Sequence, residues 1–164
     1  MKVLYFGGQK SGKSKLAEAK ALKISNSKPF YVATYDNSFG DEEMKKRVEN
    51  HLLIREDKFI TIEEPKDLTK VIEDETATYL VDCVSMWILN NIDEEDKYLF
   101  DQLKEISKIQ ANIIFVLNDV NTGIIPSNKL SRRYVDLTGI IGQKLASFCN
   151  EVYDVKLGID LRLK

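Results

Sequence analysis

Eight residues near the amino end, Gly7-Gly8-Gln9-Lys10-Ser11-Gly12-Lys13-Ser14, have the types and spacing that can hold the phosphates of a nucleoside triphosphate. Gly7 and Gly12 let the backbone curl through conformations that a Cβ would obstruct, so successive N–H groups can point inward at phosphate oxygens. A helix expected from about Lys13 would add its N-terminal dipole to the same anion. Lys13 would reach the outer phosphates as a point charge, and the Ser14 hydroxyl would ligate Mg²⁺. The apolar run Val3-Leu4-Tyr5-Phe6 before the octet and Lys15-Leu16-Ala17-Glu18-Ala19 after it supply the strand and the helix that such a loop needs. A bare glycine turn would have no reason to carry both.

Two more residues could do chemistry. Asp82 closes the apolar run Thr78-Tyr79-Leu80-Val81, where a phosphate-loop protein places its second Mg²⁺ contact, direct or through water. A carboxylate closing a strand also serves to cap the next helix. His51 is the one histidine of the chain. It shares a helical stripe with Met44, Val48 and Arg55, on a helix that Asp41 can cap. From spacing alone two readings stay open: a half-exposed helical histidine with no function, or a nucleophile that attacks an α-phosphorus and holds the nucleotidyl group as a phosphoramidate.

The elements that must position these groups follow from periodicity. Strands are expected over 2–6, 30–34, 59–63, 78–82 and 112–117, and a closing hairpin over 151–156 and 159–163 around Gly158. Helix one should carry Leu16, Ala19 or Lys20, and Ile24 on its buried stripe. A short helix should start at about Lys66, and a buried helical turn or two should span 84–91. A helix from Asp93 should bury Leu99, Leu103, Ile106 and Gln110, and a long one capped by Ser127 or Asn128 should run through Leu130, Tyr134, Leu137, Ile141, Leu145 and Phe148. Strands alternating with helices imply an α/β fold: a three-layer, RecA-like P-loop NTPase with a mostly parallel sheet, flanking helices and a C-terminal β-hairpin. No linker or repeat interrupts residues 1–164, so one domain is expected.

With 164 residues, 30% of them charged, and a net charge of −2, the chain has no field that would favour nucleic acid. Cys83 and Cys149 form no C-x-x-C and read as buried thiols of a reducing cytosol. The octet begins too soon after Met1 to leave room for a signal peptide, and no apolar run approaches membrane-spanning length, so a cytoplasmic protein with no membrane insertion is expected. The loop Asn121-Thr122-Gly123-Ile124-Ile125-Pro126 is apolar for a connection and should pack on a ligand or a neighbouring subunit.

Taken together the motifs resemble the adenosylcobinamide kinase / adenosylcobinamide-phosphate guanylyltransferase family of cobalamin biosynthesis. The resemblance runs through the octet, Tyr31-Val32-Ala33-Thr34, Asp41-Glu42-Glu43-Met44, Arg47-Val48 with His51 and Arg55, Thr61-Ile62-Glu63, Asp82-Cys83 with Trp87 and Asn90, Asn118-Asp119-Val120, Gly123-Ile124-Ile125-Pro126, Asp136 with Gly139 and Gln143, and Gly158. Asp119, Asn121, Leu52 and Gly142 differ from the family's usual residues. The resemblance implies phosphorylation of adenosylcobinamide by a nucleoside triphosphate, ATP or GTP with Mg²⁺. GMP transfer from GTP to the resulting phosphate would follow, through a guanylylated His51. It also implies nucleotide contacts from Thr34, Tyr35, Asp36, Glu63 and Asp82, and a homotrimer. The alternatives are a small-molecule kinase lacking the guanylyl step, or a nucleotide-sensing binding protein; Asn128-Lys129-Leu130-Ser131 lacks the aspartate of a guanine-reading N-K-x-D.

Overall fold

The computed structural model describes residues 1–36 and 57–164. Over these residues one sheet takes the order β3-β2-β4-β5-β1-β6-β7. Its strands are β1 Lys2–Gly7, β2 Phe30–Ala33, β3 Ile60–Glu63, β4 Thr78–Asp82, β5 Asn112–Asn118, β6 Glu151–Lys156 and β7 Ile159–Arg162. Every neighbouring pair is parallel except β6 with β7. The α/β class, the mostly parallel sheet and the closing hairpin are as expected. The hairpin is not wholly at the edge, however: β6 lies inside the sheet against β1, and β7 alone is the edge strand.

The period-two rule sorts the central strands between two cores. Val3, Tyr5, Leu80, Ile114 and Val116 face α1 (Lys13–Ile24), whose Ala17 and Ala21 are fully buried against them. Leu4, Tyr79, Val81, Ile113, Phe115 and Leu117 face the opposite layer. That layer holds α2 (Val84–Asn90), α3 (Asp96–Lys108) and α4 (Lys129–Phe148). Three layers result, helix on sheet on helix.

Local departures from the sequence reading have physical causes. On α1 the buried line is Ala17 and Ala21, with Leu16 and Ile24 half-buried beside it and Ala19 exposed. Small residues let this helix backbone come close to the sheet, so the larger ones flank the contact. α3 begins at Asp96 and ends at Lys108, which leaves Gln110 beyond it; the extra buried residue is Gln102. Its amide accepts from Leu68 N at 3.0 Å and donates to Lys66 O at 3.1 Å, so a polar group is buried with its bonds made. The helix expected from Lys66 is a 3₁₀ turn over Leu68–Lys70, capped by Asp67 accepting from Thr69 N. Asn128, not Ser127, caps α4, accepting from Leu130 N and Ser131 N. Leu130 itself is exposed.

Both cysteines are free. Cys149 is buried as expected, while Cys83 is only half-buried, at the carboxyl end of β4. Ile124 and Ile125 are 96% and 81% exposed, so these two side chains do not pack on the described residues of their own chain. Asn121 pins that loop to α4: its amide donates to Val135 O at 2.8 Å. A Cβ on Gly139 would lie 2.9 Å from this amide nitrogen, so the glycine makes room for the asparagine. The helix expected over 41–55, His51 included, lies outside the described residues.

Candidate active site

Parallel strands bring their carboxyl ends to one edge, where α/β proteins bind ligands. Register places Glu63 and Asp82 on either side of Ala33 in β2, and Gly7 between Asn118 of β5 and Val155 of β6. The octet leaves β1 at this edge and enters α1 at Lys13.

The loop has the curled form its glycines permit. Lys10 takes φ 57° and Gly12 takes φ 99°, and Gly8 O accepts from Ser11 N at 3.2 Å. No side chain caps α1 at Gly12, so the positive end of the helix is open to an anion. Ser11 Oγ is buried and has no hydrogen-bond partner. Gly8 is half-buried, Gln9 and Lys10 are exposed, and Ser14, the second residue of the helix, is half-buried.

Lys13 is buried, and its Nζ donates to Gly8 O at 3.0 Å across the mouth of its own loop. Burial lowers its pKa below the usual lysine value, against the opposing pull of the Asp82 carboxylate. The lysine is therefore a poorly solvated cation, held back on a carbonyl and close enough to Asp82 to feel its charge. Burial also pushes the Cys83 thiol up to about 11, so it is neutral at physiological pH.

Behind Asp82 lies a set of hydrogen bonds that joins three strand ends. Tyr31 Oη donates to the Asp82 carboxylate at 3.1 Å. Thr34 is fully buried; its hydroxyl donates to Cys83 O at 2.7 Å and accepts from Cys83 N at 3.0 Å. Asn90 Nδ2 on α2 donates to Thr34 O at 2.7 Å and to Pro65 O at 2.9 Å. The ends of β2, β3 and β4 are thus tied by Thr34 and Asn90. Sequence reasoning gave Tyr31 and Asn90 no role. The signal for Asn90 was a polar residue closing an otherwise apolar helical run; for Tyr31 no local signal distinguishes its hydroxyl from that of any strand tyrosine. Tyr35 and Asp36 are half-buried and continue from Thr34 along the same edge, and Glu63 is exposed.

A hydroxyl from Ser14 and a carboxylate from Asp82 are hard oxygen donors of the kind Mg²⁺ takes. Among the described residues no group of three or more His, Cys, Asp and Glu could hold a metal ion.

Residues 3–163 match the family model described as cobinamide kinase / cobinamide phosphate guanyltransferase. The chain belongs to that family. It is 34% identical over 172 residues to the bifunctional adenosylcobalamin biosynthesis protein CobP of Pseudomonas aeruginosa, covering 100% of this chain and 98% of that one. It is 30% identical over 185 residues to the bifunctional adenosylcobalamin biosynthesis protein CobU of Escherichia coli, covering all of both. Among solved structures, the flagellar accessory protein FlaH of Methanocaldococcus jannaschii aligns with a TM-score of 0.52 at 18% identity, over 93% of this chain and 70% of that one. A KaiC-like protein of Pyrococcus horikoshii does so with 0.52 at 15%, over 93% and 69%. These two show the fold, a P-loop NTPase-like α/β domain. As a member of the cobinamide kinase family the chain is a transferase.

Proposed function

We propose that this chain phosphorylates the free hydroxyl of adenosylcobinamide with a nucleoside triphosphate, and then transfers GMP from GTP to the phosphate so formed. The reading rests above all on the uncapped start of α1 with Lys13 and Asp82 beside it, in a chain of this family. In the first reaction the substrate hydroxyl attacks the γ-phosphorus, the bond to the β-phosphate oxygen breaks, and the nucleoside diphosphate leaves. Lys13 leaves Gly8 O for the outer phosphates, while the loop amides and the helix dipole offset their charge; positioning and electrostatics carry most of such a transfer. Ser14 and Asp82 would hold Mg²⁺, which neutralises phosphate charge when bound. Thr34 acts here by positioning: its hydroxyl is engaged by Cys83, so it sets where Asp82 stands. Tyr35, Asp36 and Glu63 are assigned to the nucleoside end of the ligand, with Glu63 on the guanosine.

In the second reaction a nitrogen of His51 attacks the α-phosphorus of GTP and pyrophosphate leaves. An oxygen of the adenosylcobinamide phosphate then attacks the same phosphorus, and the N–P bond breaks. ATP or GTP serves the first step. We further assign a cytoplasmic location and a homotrimer whose contacts include Ile124 and Ile125.

Intact-mass spectrometry after incubation with GTP and Mg²⁺ tests the central step. One guanylyl group should appear, acid-labile and base-stable, and map to His51. His51→Asn should lose the label while still phosphorylating adenosylcobinamide. A label that persists in His51→Asn refutes the assignment; phosphorylation by the wild type with no label at all leaves a kinase only.

A further inference from the structure

The C-terminal hairpin ends in a tight turn whose central residues, Leu157 and Gly158, have φ 55° and 78°. Both positive values are what a two-residue type I′ turn requires, and leucine is a poor choice for the first position. Packing does not explain it, since Leu157 is 95% exposed. The turn abuts the phosphate loop. Gly158 N donates to Ser11 O at 2.8 Å, and a Cβ on Gly12 would lie 3.0 Å from Gly158 Cα. A Cβ on Gly7 would overlap the Val155 carbonyl oxygen of β6, so both glycines that open and close the loop are demanded by the hairpin's backbone. The same hairpin also holds α1 and β1: Lys20 of α1 pairs with Glu151 at 2.6 Å, and Tyr153 stacks on Tyr5 of β1 with ring centroids 4.9 Å apart.

In a trans peptide the carbonyl and the following N–H point in opposite directions. Because Ser11 O faces Gly158 N, the Gly12 N–H is turned the other way, away from the hairpin. We propose that the Lys156–Ile159 turn is the outer wall of the phosphate loop, and that Gly158 is a positioning residue that aims the Gly12 amide at the bound phosphates. The inference rests on the nucleotide reading above. It extends the machinery to a segment nearly 150 residues further along the chain, which touches no phosphate itself.

The test is the affinity of the whole protein for GTP–Mg²⁺, with each variant shown to be folded by circular dichroism at the temperature used. A Cβ on Gly158 would meet nothing within 4 Å, so substitution there tests conformation rather than crowding. Gly158→Val, β-branched at positive φ, should weaken binding about tenfold, the scale of one hydrogen bond to a charged group. Gly158→Asn, which tolerates that conformation, should stay within about twofold of wild type. Ile106→Val, in the core away from the loop, should lower the melting temperature without changing affinity. Should Gly158→Val not fold, Gly158→Ala takes its place with the same expected direction. Wild-type affinity in the folded Val or Ala variant overturns the proposal. So does an equal loss in Gly158→Asn or in Ile106→Val. A wild-type protein that does not bind GTP–Mg²⁺ at all refutes instead the nucleotide reading on which the proposal stands.

Discussion

Replacing Thr34 by valine keeps the outline of the side chain and removes one oxygen. That oxygen makes two hydrogen bonds, 2.7 Å to Cys83 O and 3.0 Å from Cys83 N, from a residue with no exposed surface. Both Cys83 groups are partly buried, so water can recover part of the loss. About 1 kcal/mol for each bond, or roughly 2 kcal/mol together, is the expected cost. For a chain of this length that corresponds to a fall of about 4–8 °C in melting temperature. The effect on the site should go beyond stability, because the same bonds set the path of the chain just after Asp82. Mg²⁺-dependent GTP binding should therefore weaken in the folded variant, while binding measured in excess EDTA changes little. Calorimetric melting and isothermal titration with and without Mg²⁺ make the two measurements. A melting temperature within about 1 °C of wild type would refute the reasoning, for it would mean that these bonds contribute nothing. If weakened binding accompanied that unchanged stability, Thr34 would be a ligand contact instead.

Lys13→Met should abolish most phosphoryl transfer, by about a hundredfold or more, yet leave the melting temperature within about 2 °C of wild type, since the charge removed is one whose burial is unfavourable. Activity near wild type would contradict the role of the loop. Gly7→Ala should lower stability by about 3 kcal/mol or more, because its Cβ meets backbone that cannot move aside. Gly8→Ala, whose Cβ meets nothing within 4 Å, should stay within about 1 kcal/mol of wild type. Urea unfolding of the two side by side checks the contrast. The hydrogen bond from Lys20 holds the Glu151 carboxyl below its ordinary value of 4.5. A lowered carboxylate pKa stabilises the fold above the unfolded value and loses that contribution as pH falls through the folded one. Lys20→Met should therefore flatten the acid limb of melting temperature against pH below about pH 5, and an unchanged limb would show that the bridge contributes nothing.

The form of the octet was legible because it is local. A strand, a glycine loop and a helix contiguous in sequence dictate their own geometry, and Lys13 and Ser14 must lie at the start of α1 wherever the rest of the chain goes. The strands were legible for a related reason: those of a parallel sheet are buried on both faces and read as apolar runs. Helix faces were less so. The α1 stripe was displaced onto Ala17 and Ala21 because closeness to the sheet, not side-chain size, decided which residues were buried. Gln102 joined the α3 stripe because Lys66 O and Leu68 N, far away in sequence, were there to satisfy it.

Residue types and spacing alone were enough for the strand–glycine loop–helix unit, the α/β class and the family, since each depends on patterns within a few neighbouring positions or on their order along the chain. Only the tertiary structure decided that Thr34 bonds the backbone of Cys83 next to Asp82, that Asn90 ties β2 to the turn after β3, and that Gly158 braces Ser11. Those are contacts between residues 25 to nearly 150 positions apart. Parallel pairing delivers every strand end to one edge, and which groups meet there depends on strand order, which no local pattern encodes.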